Sequence, residues 1–358
     1  MRKIQLLAAS TTVVAITAFA TAGAATIPDR ITILAEDGRA LQLERESIAA
    51  PSHAGPFEGA RAFALQDPAS PGSWGRLATV DGRSAGVFVN EQGTWWLASD
   101  EAGDLVAIDD RDAAARIPLD ERRIEPDAMA AVSCDSLDWT PVLAPPTHLV
   151  SGSPLRTFSV AFAYDAAYQE RYGAGWNATL LATISAIDAL LTRDASIHLV
   201  AARIDEVPAD LAADTTSDTL VRLQDHYNAT YGGQLAETVF LFSGRDFSNA
   251  GGQVNCVGSA GRTNVSYGVA SVAGGDYGFP GGLVLLPDPG IKIGAHELGH
   301  TLSAHHHYAN CVEAAPYYNP IHTTDACTVL INDWGLVGLR YSSLERLTMA
   351  GWAEAYDI

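Results

Sequence analysis

Residues 296–311 read HELGHTLSAHHHYANC and hold five of the ten histidines of the chain. Asp288 followed by Pro289 reads as a helix start: a capping side chain, then a residue whose φ is already set. From there Ile291, Ala295, Leu298 and Leu302 recur at helical spacing and predict one buried stripe. His296 and His300 are four residues apart, so a helix projects them from one side, a turn apart. Glu297 lies beside them. In the pattern His-Glu-x-x-His two imidazoles hold Zn²⁺ and the carboxylate acts as general base. Three fixed residues also arise by chance on surface helices. Here they stand on a capped amphipathic helix that follows a strand. A catalytic zinc site needs three protein ligands and one open position, so a third donor is expected beyond His300.

The chain before this helix reads β-α-β-α-β. Phe158, Val160, Phe162 and Tyr164 alternate as in a strand. Leu180, Leu181, Ile184, Ile187, Leu190 and Leu191 share a helix face. Residues 197–204 read as a strand. Leu220, Leu223, Tyr227 and Tyr231 form a second helical stripe, stopped by Gly232-Gly233. ETVFLFS (237–243), NVSYGVASV (264–272) and GGLVLL (281–286) are further strands. The expected class is α/β, or α+β, with a mixed sheet.

Residues 25–142 have another character. RITILAEDGRALQLE (30–44) places two apolar runs around Asp37-Gly38, a hairpin signal. Residues 75–99 repeat the habit, with bends at Asp81-Gly82 and Gln92-Gly93. A β-rich first domain is expected there. LAPPTHLVSGSP (143–154) is a Pro/Ser/Gly-rich linker, so the boundaries read as a linker over 143–155 and a second domain over 156–358.

The 358 residues carry a formal charge of −20, which makes nucleic acid and anionic membranes poor partners. Arg2 and Lys3, an apolar run and small residues up to about residue 24 read as a cleavable signal peptide, and no later stretch is expected to span a bilayer. Export places Cys134, Cys256, Cys311 and Cys327 where disulfides persist. Cys311 and Cys327 bracket a loop and could pair locally, but four cysteines allow three connectivities. The acidic catalytic half also leaves room for Ca²⁺. No Gly-x-Ser-x-Gly occurs, which argues against a serine hydrolase.

From residue 156 onward the chain resembles a metzincin metallopeptidase of the adamalysin/reprolysin type. The resemblance is carried by IHLVAARID (197–205), TLVRLQDHY (219–227), TVFLFSGRDFSNAGGQVNCVGSAG (238–261) and AHELGHTLSAHH (295–306). It implies His306, six residues past His300, as the third zinc ligand, with His305 and His307 turned away and Glu297 as general base. It implies a secreted endopeptidase acting on a peptide or protein, with the substrate laid along an edge strand near Gly252 to Ala260. GRALQLERES (38–47) and the 75–98 run resemble the family's propeptide, which would inhibit the enzyme and be removed to leave about 200 residues. In several metzincins a propeptide cysteine ligates the zinc. Cys134, in AVSCDSLDW (131–139), is the candidate for that latency role, and a disulfide to Cys256 is its alternative.

The chain departs from the family pattern in three places. Ser303 replaces the glycine at the turn after the zinc helix, where φ > 0 would cost a serine about 1 kcal/mol. His307 replaces the usual Asp. The methionine-turn position falls on Leu330 or Met349. Ser342-x-x-Glu345 is a capping box that would place Met349 in a terminal helix, which favours Leu330. Two other readings stand beside this one: a zinc peptidase with Glu345 as third ligand, and a secreted binding homologue that keeps only the fold. Retention of Glu297 speaks against the second.

Overall fold

The computed structural model describes residues 29–35, 38–52, 54–112, 155–262, 264–273, 276–279, 282–304 and 349. The signal-like N-terminus, Cys134, the linker, His305–His307, Cys311, Cys327, Leu330 and Glu345 lie outside them.

The first unit is a closed barrel of seven strands in chain order: β1 (Asp29–Ala35), β2 (Ala40–Ile48), β3 (Arg61–Asp67), β4 (Ser70–Val80), β5 (Arg83–Asn90), β6 (Gly93–Ser99) and β7 (Leu105–Asp109). Neighbours are antiparallel. An odd number of alternating strands brings the first and last into parallel register, and β1 pairs with β7 that way at Leu34–Val106 and Ala35–Ala107. The Asp81-Gly82 turn carries φ of 50° and 78°, the two positive values that a type I′ hairpin requires.

The second unit is built on a five-stranded sheet of order β11-β12-β10-β8-β9. Strands β8 (Arg156–Tyr164), β9 (Ile197–Glu206), β10 (Thr238–Ser243) and β12 (Tyr267–Ser271) are parallel, and β11 (Gly252–Val254) is an antiparallel edge. The mixed sheet is as expected. Strands β13 (Asp276–Phe279) and β14 (Gly282–Leu285) form a separate hairpin.

Alternation along the strands feeds two cores. Phe158, Val160, Phe162, Phe240 and Phe242 face one side, with helices α2 (Trp176–Ala195) and α4 (Asp288–Thr301). Ala161, Ala163, Val239 and Leu241 face the other, against α3 (Thr216–Tyr231). A short helix, α1 (Ala166–Tyr172), precedes α2 and was not foreseen. Asp165 caps it, accepting from the Tyr168 amide at 2.7 Å.

Helix α2 is buried over most of its surface. Its predicted leucine and isoleucine stripe is at most 1% exposed, and Ala178, Ala182 and Ala186 on other faces are fully buried. Residues 166–195 are long and apolar enough to cross a membrane, yet 78% of their apolar window is buried inside the protein. Such burial reflects cover from two directions: the sheet lies on one side of α2 and the barrel on the other.

Candidate metal centre

Helix α4 carries the predicted motif, and it is buried on both its apolar and its histidine side. The expected stripe, Ile291, Ala295, Leu298 and Leu302, is fully buried. So are Glu297, at 0% exposure, His300 at 2% and His296 at 4%. The helix begins at Asp288 with Pro287 in the cap position and no side-chain cap. The cap expected at Asp288 therefore falls one residue earlier: Asp288 is already in the first turn, with Pro289 after it, and the Ile291 amide bonds to the Pro287 carbonyl at 3.1 Å. Small residues let α4 sit close to its neighbours. A methyl group on Gly294 would lie 2.8 Å from the Phe242 ring and 3.0 Å from Ile187.

The two imidazoles meet edge to face with ring centroids 4.6 Å apart, and their Nε2 atoms are separated by 3.0 Å. The Nδ1 of His300 lies 2.7 Å from the Ala304 carbonyl oxygen. A carbonyl only accepts, so Nδ1 carries the proton and the Nε2 lone pair is presented to His296. Two imidazole nitrogens at this separation need a proton or a cation between them. A divalent ion held by the two imidazoles would satisfy both, and the Ala304 carbonyl would orient the His300 ring. The residues present thus fit zinc.

The Ala304 carbonyl is placed by the end of the helix. The Ser303 amide bonds to the His300 carbonyl at 3.0 Å and the Ala304 amide to the Gly299 carbonyl at 2.9 Å, the paired bonds of a Schellman turn. Such a turn needs a left-handed residue at its bend. Ser303 holds it at φ 71°, so the serine adopts the glycine conformation. The loop 258–260 then stitches onto the helix end: Gly258 donates to the His300 carbonyl at 2.8 Å and Ala260 to the Thr301 carbonyl at 3.0 Å.

Edge strand β11 closes the site from the other side. A methyl group on Gly252 would lie 2.7 Å from both Cγ and Oε1 of Glu297 and 2.6 Å from Ile293. Only a residue without a side chain lets β11 lie this close to the carboxylate. Sequence reading placed Gly252 on the edge strand but gave it no role. Gln253, the next residue, accepts from the hydroxyls of Thr216 and Ser217 at the start of α3, which ties the strand down.

Among the described residues no third His, Cys, Asp or Glu joins His296 and His300 in a metal-sized group. His306 and Glu345, the two candidates for that place, lie outside the described residues. Cys256 is disulfide-bonded. Met349 is helical and fully buried in the core that contains α2 and α4.

Two buried imidazoles with a neighbouring glutamate on one helix, beside an antiparallel edge strand, define the class of helix-borne zinc peptidases. A reprolysin-type model of metallopeptidase family M12 matches residues 154–332, and the chain belongs to that family. Membership implies zinc-dependent peptide hydrolysis. The crystal structure of metalloproteinase-II from Bacteroides fragilis is similar in fold, with a TM-score of 0.53 at 11% identity over 91% of this chain and 92% of that one. A chaperone–substrate complex aligns at a TM-score of only 0.36, with 10% identity over 76% of this chain and 39% of that one, too low to carry an argument. No curated protein matches in sequence.

Proposed function

We propose that this chain is an exported zinc endopeptidase made as a latent precursor. The observation that carries the reading is the 3.0 Å approach of the two Nε2 atoms on a buried helix, with Glu297 between them in sequence. His296, His300 and His306 would hold one Zn²⁺, which supplies Lewis acidity toward the scissile carbonyl. Glu297 takes a proton from the attacking water and delivers it to the leaving amine. An extended peptide would add alongside β11, which pairs only with β12 among the described residues.

The test is metal content with activity on a general protein substrate. The wild-type protein should hold about one zinc and lose activity to a chelator. His296→Ala, His300→Ala and His306→Ala should each lose zinc, and Glu345→Gln should keep it. Zinc retained in His306→Ala but lost in Glu345→Gln would overturn the ligand set.

Latency has two chemically exclusive routes through Cys134. As a free thiolate it would fill the open zinc position, and Cys134→Ser would be active before processing. As the partner of Cys256 it would instead tether the processed pieces, which would co-migrate on a gel only without reductant.

A further inference from the structure

The two halves of the barrel wall differ. On β1 to β3 the inward side chains, Ile33, Leu43, Phe63 and Leu65, fill the barrel. Their neighbours on the outside include Leu34 at 61% exposure and the exposed Arg30–Glu44 pair. On β4 to β7 both faces are apolar. Leu77, Phe88, Trp95, Leu97 and Ala107 point inward. The alternate residues Val80, Val87, Val89, Trp96 and Ile108 point outward, and every one is buried in the same core as α2, α4 and the sheet. A strand buried on both faces lies inside a protein, not at its rim.

Specific contacts run the length of this seam. The Phe57 ring meets Trp176 edge-on at 5.6 Å and Tyr164 at 6.5 Å. Asn177 donates to the Pro56 carbonyl at 3.0 Å. The Arg193 guanidinium covers the Trp74 ring at 5.0 Å. On the zinc helix, the Lys292 ammonium lies 3.4 Å from the Asp110 carboxylate and 5.3 Å from the centre of the Trp96 ring, and Trp96 itself donates to Asp110 at 2.6 Å. Asp110 is 3% exposed and Trp96 0%.

We infer that the barrel and the peptidase unit are one cooperative folding unit: once the chain is cut between them, the barrel stays on the α2–α4 face as a permanent partner and does not leave as a separable propeptide. Release would uncover Val80, Val87, Trp96 and Ile108 on one piece and the buried barrel-facing side of α2 on the other, two facing patches of the kind that soluble proteins do not leave open. The inference is independent of catalysis, so an inactive chain tests it equally well.

The experiment uses the full chain with a site-specific protease sequence placed within 143–154. After cutting, under reducing conditions that break any disulfide to Cys256, the pieces should elute together in native buffer and unfold in a single transition. Separation of the pieces, whether both stay soluble or one precipitates, would overturn the inference, as would two resolved transitions. In the cut protein, Val87→Asp should release the barrel, whereas Leu34→Asp on the opposite wall should leave it bound. Equal behaviour of these two variants would likewise count against the seam.

Discussion

Helix α4 has two sides with different duties. One presents His296, Glu297 and His300. The other presents Ile291, Ala295, Leu298 and Leu302 to the shared core, with Lys292 reaching the barrel at the edge between them. Both sides are equally buried, so burial alone does not separate chemistry from packing. Composition does. The first side consists of groups that are costly to bury and are tolerated only where a ligand or a reaction uses them. The second consists of groups that burial favours by roughly 25 cal/mol per Å² of apolar surface. Substitutions on the first side should therefore move activity and spare the fold, and those on the second should do the reverse.

The largest expected effect is on the first side. Glu297→Gln keeps shape and removes the proposed base. Turnover should fall about 10²- to 10⁴-fold, the usual contribution of a general base. Zinc content and the unfolding midpoint should stay near wild type. A variant that turns over at the wild-type rate, or one that loses its zinc, would show that the two sides are not separable in this way.

Next comes the ion pair at the edge. Asp110→Asn removes a buried counter-charge from the Lys292 ammonium, which is 12% exposed. A buried charge that loses its partner costs on the order of 3 kcal/mol. Denaturant unfolding should show a loss of that size, with KM unchanged. The pair Asp110→Asn with Lys292→Met should recover most of it, because the buried ammonium is then gone. A double variant as unstable as the single one would assign the loss to the Trp96 hydrogen bond instead.

Gly252→Ala tests the point where β11 lies against the first side. The added methyl would overlap Ile293 and Glu297, one turn apart on that side. Overpacking of this kind costs roughly 1–3 kcal/mol of stability. A displacement of the carboxylate by even about 1 Å is enough to lower turnover by about 100-fold. We expect activity to fall by more than the stability loss alone would explain at a temperature where the variant is fully folded. Normal turnover in Gly252→Ala would mean that Glu297 yields without consequence.

How far this was legible in the sequence follows from the range of each interaction. The motif on α4, its stripe, the alternation of β8 and the stripe and glycine stop of α3 are local patterns, and each falls where the sequence placed it. The barrel's closure is not local. It depends on Leu34 meeting Val106, which no periodicity announces. The double-sided apolar run of β5 and β6 is visible in VFVNEQGTWWLA, but alternation cannot name the partner of the second face. Sequence pattern alone therefore assigns the two strands to a separate domain, although their outer face completes the core around α2. Gly252 was hidden for a related reason: a glycine in a three-residue strand signals a close approach without saying to what.

The smallest effect lies at the end of α4, where the two sides meet in the Schellman turn. Ser303 sits at φ 71° with its amide bonded to the His300 carbonyl. A side chain in this region costs roughly 1–2 kcal/mol relative to right-handed backbone, and glycine avoids the clash while giving up some of the gain to the greater freedom of its unfolded chain. Ser303→Gly should therefore stabilise the protein by about 1 kcal/mol, which for a chain of this size raises the melting temperature by only about 2 °C. Ser303→Val, β-branched at the same bend, should lower it by more than Ser303→Gly raises it. The same turn sets the Ala304 carbonyl 2.7 Å from Nδ1 of His300, so the valine variant should also weaken zinc retention in a chelator titration, and the glycine variant should not. A glycine variant that gains stability but loses zinc would mean that the serine, strained as it is, holds the carbonyl in place better than a relaxed turn does.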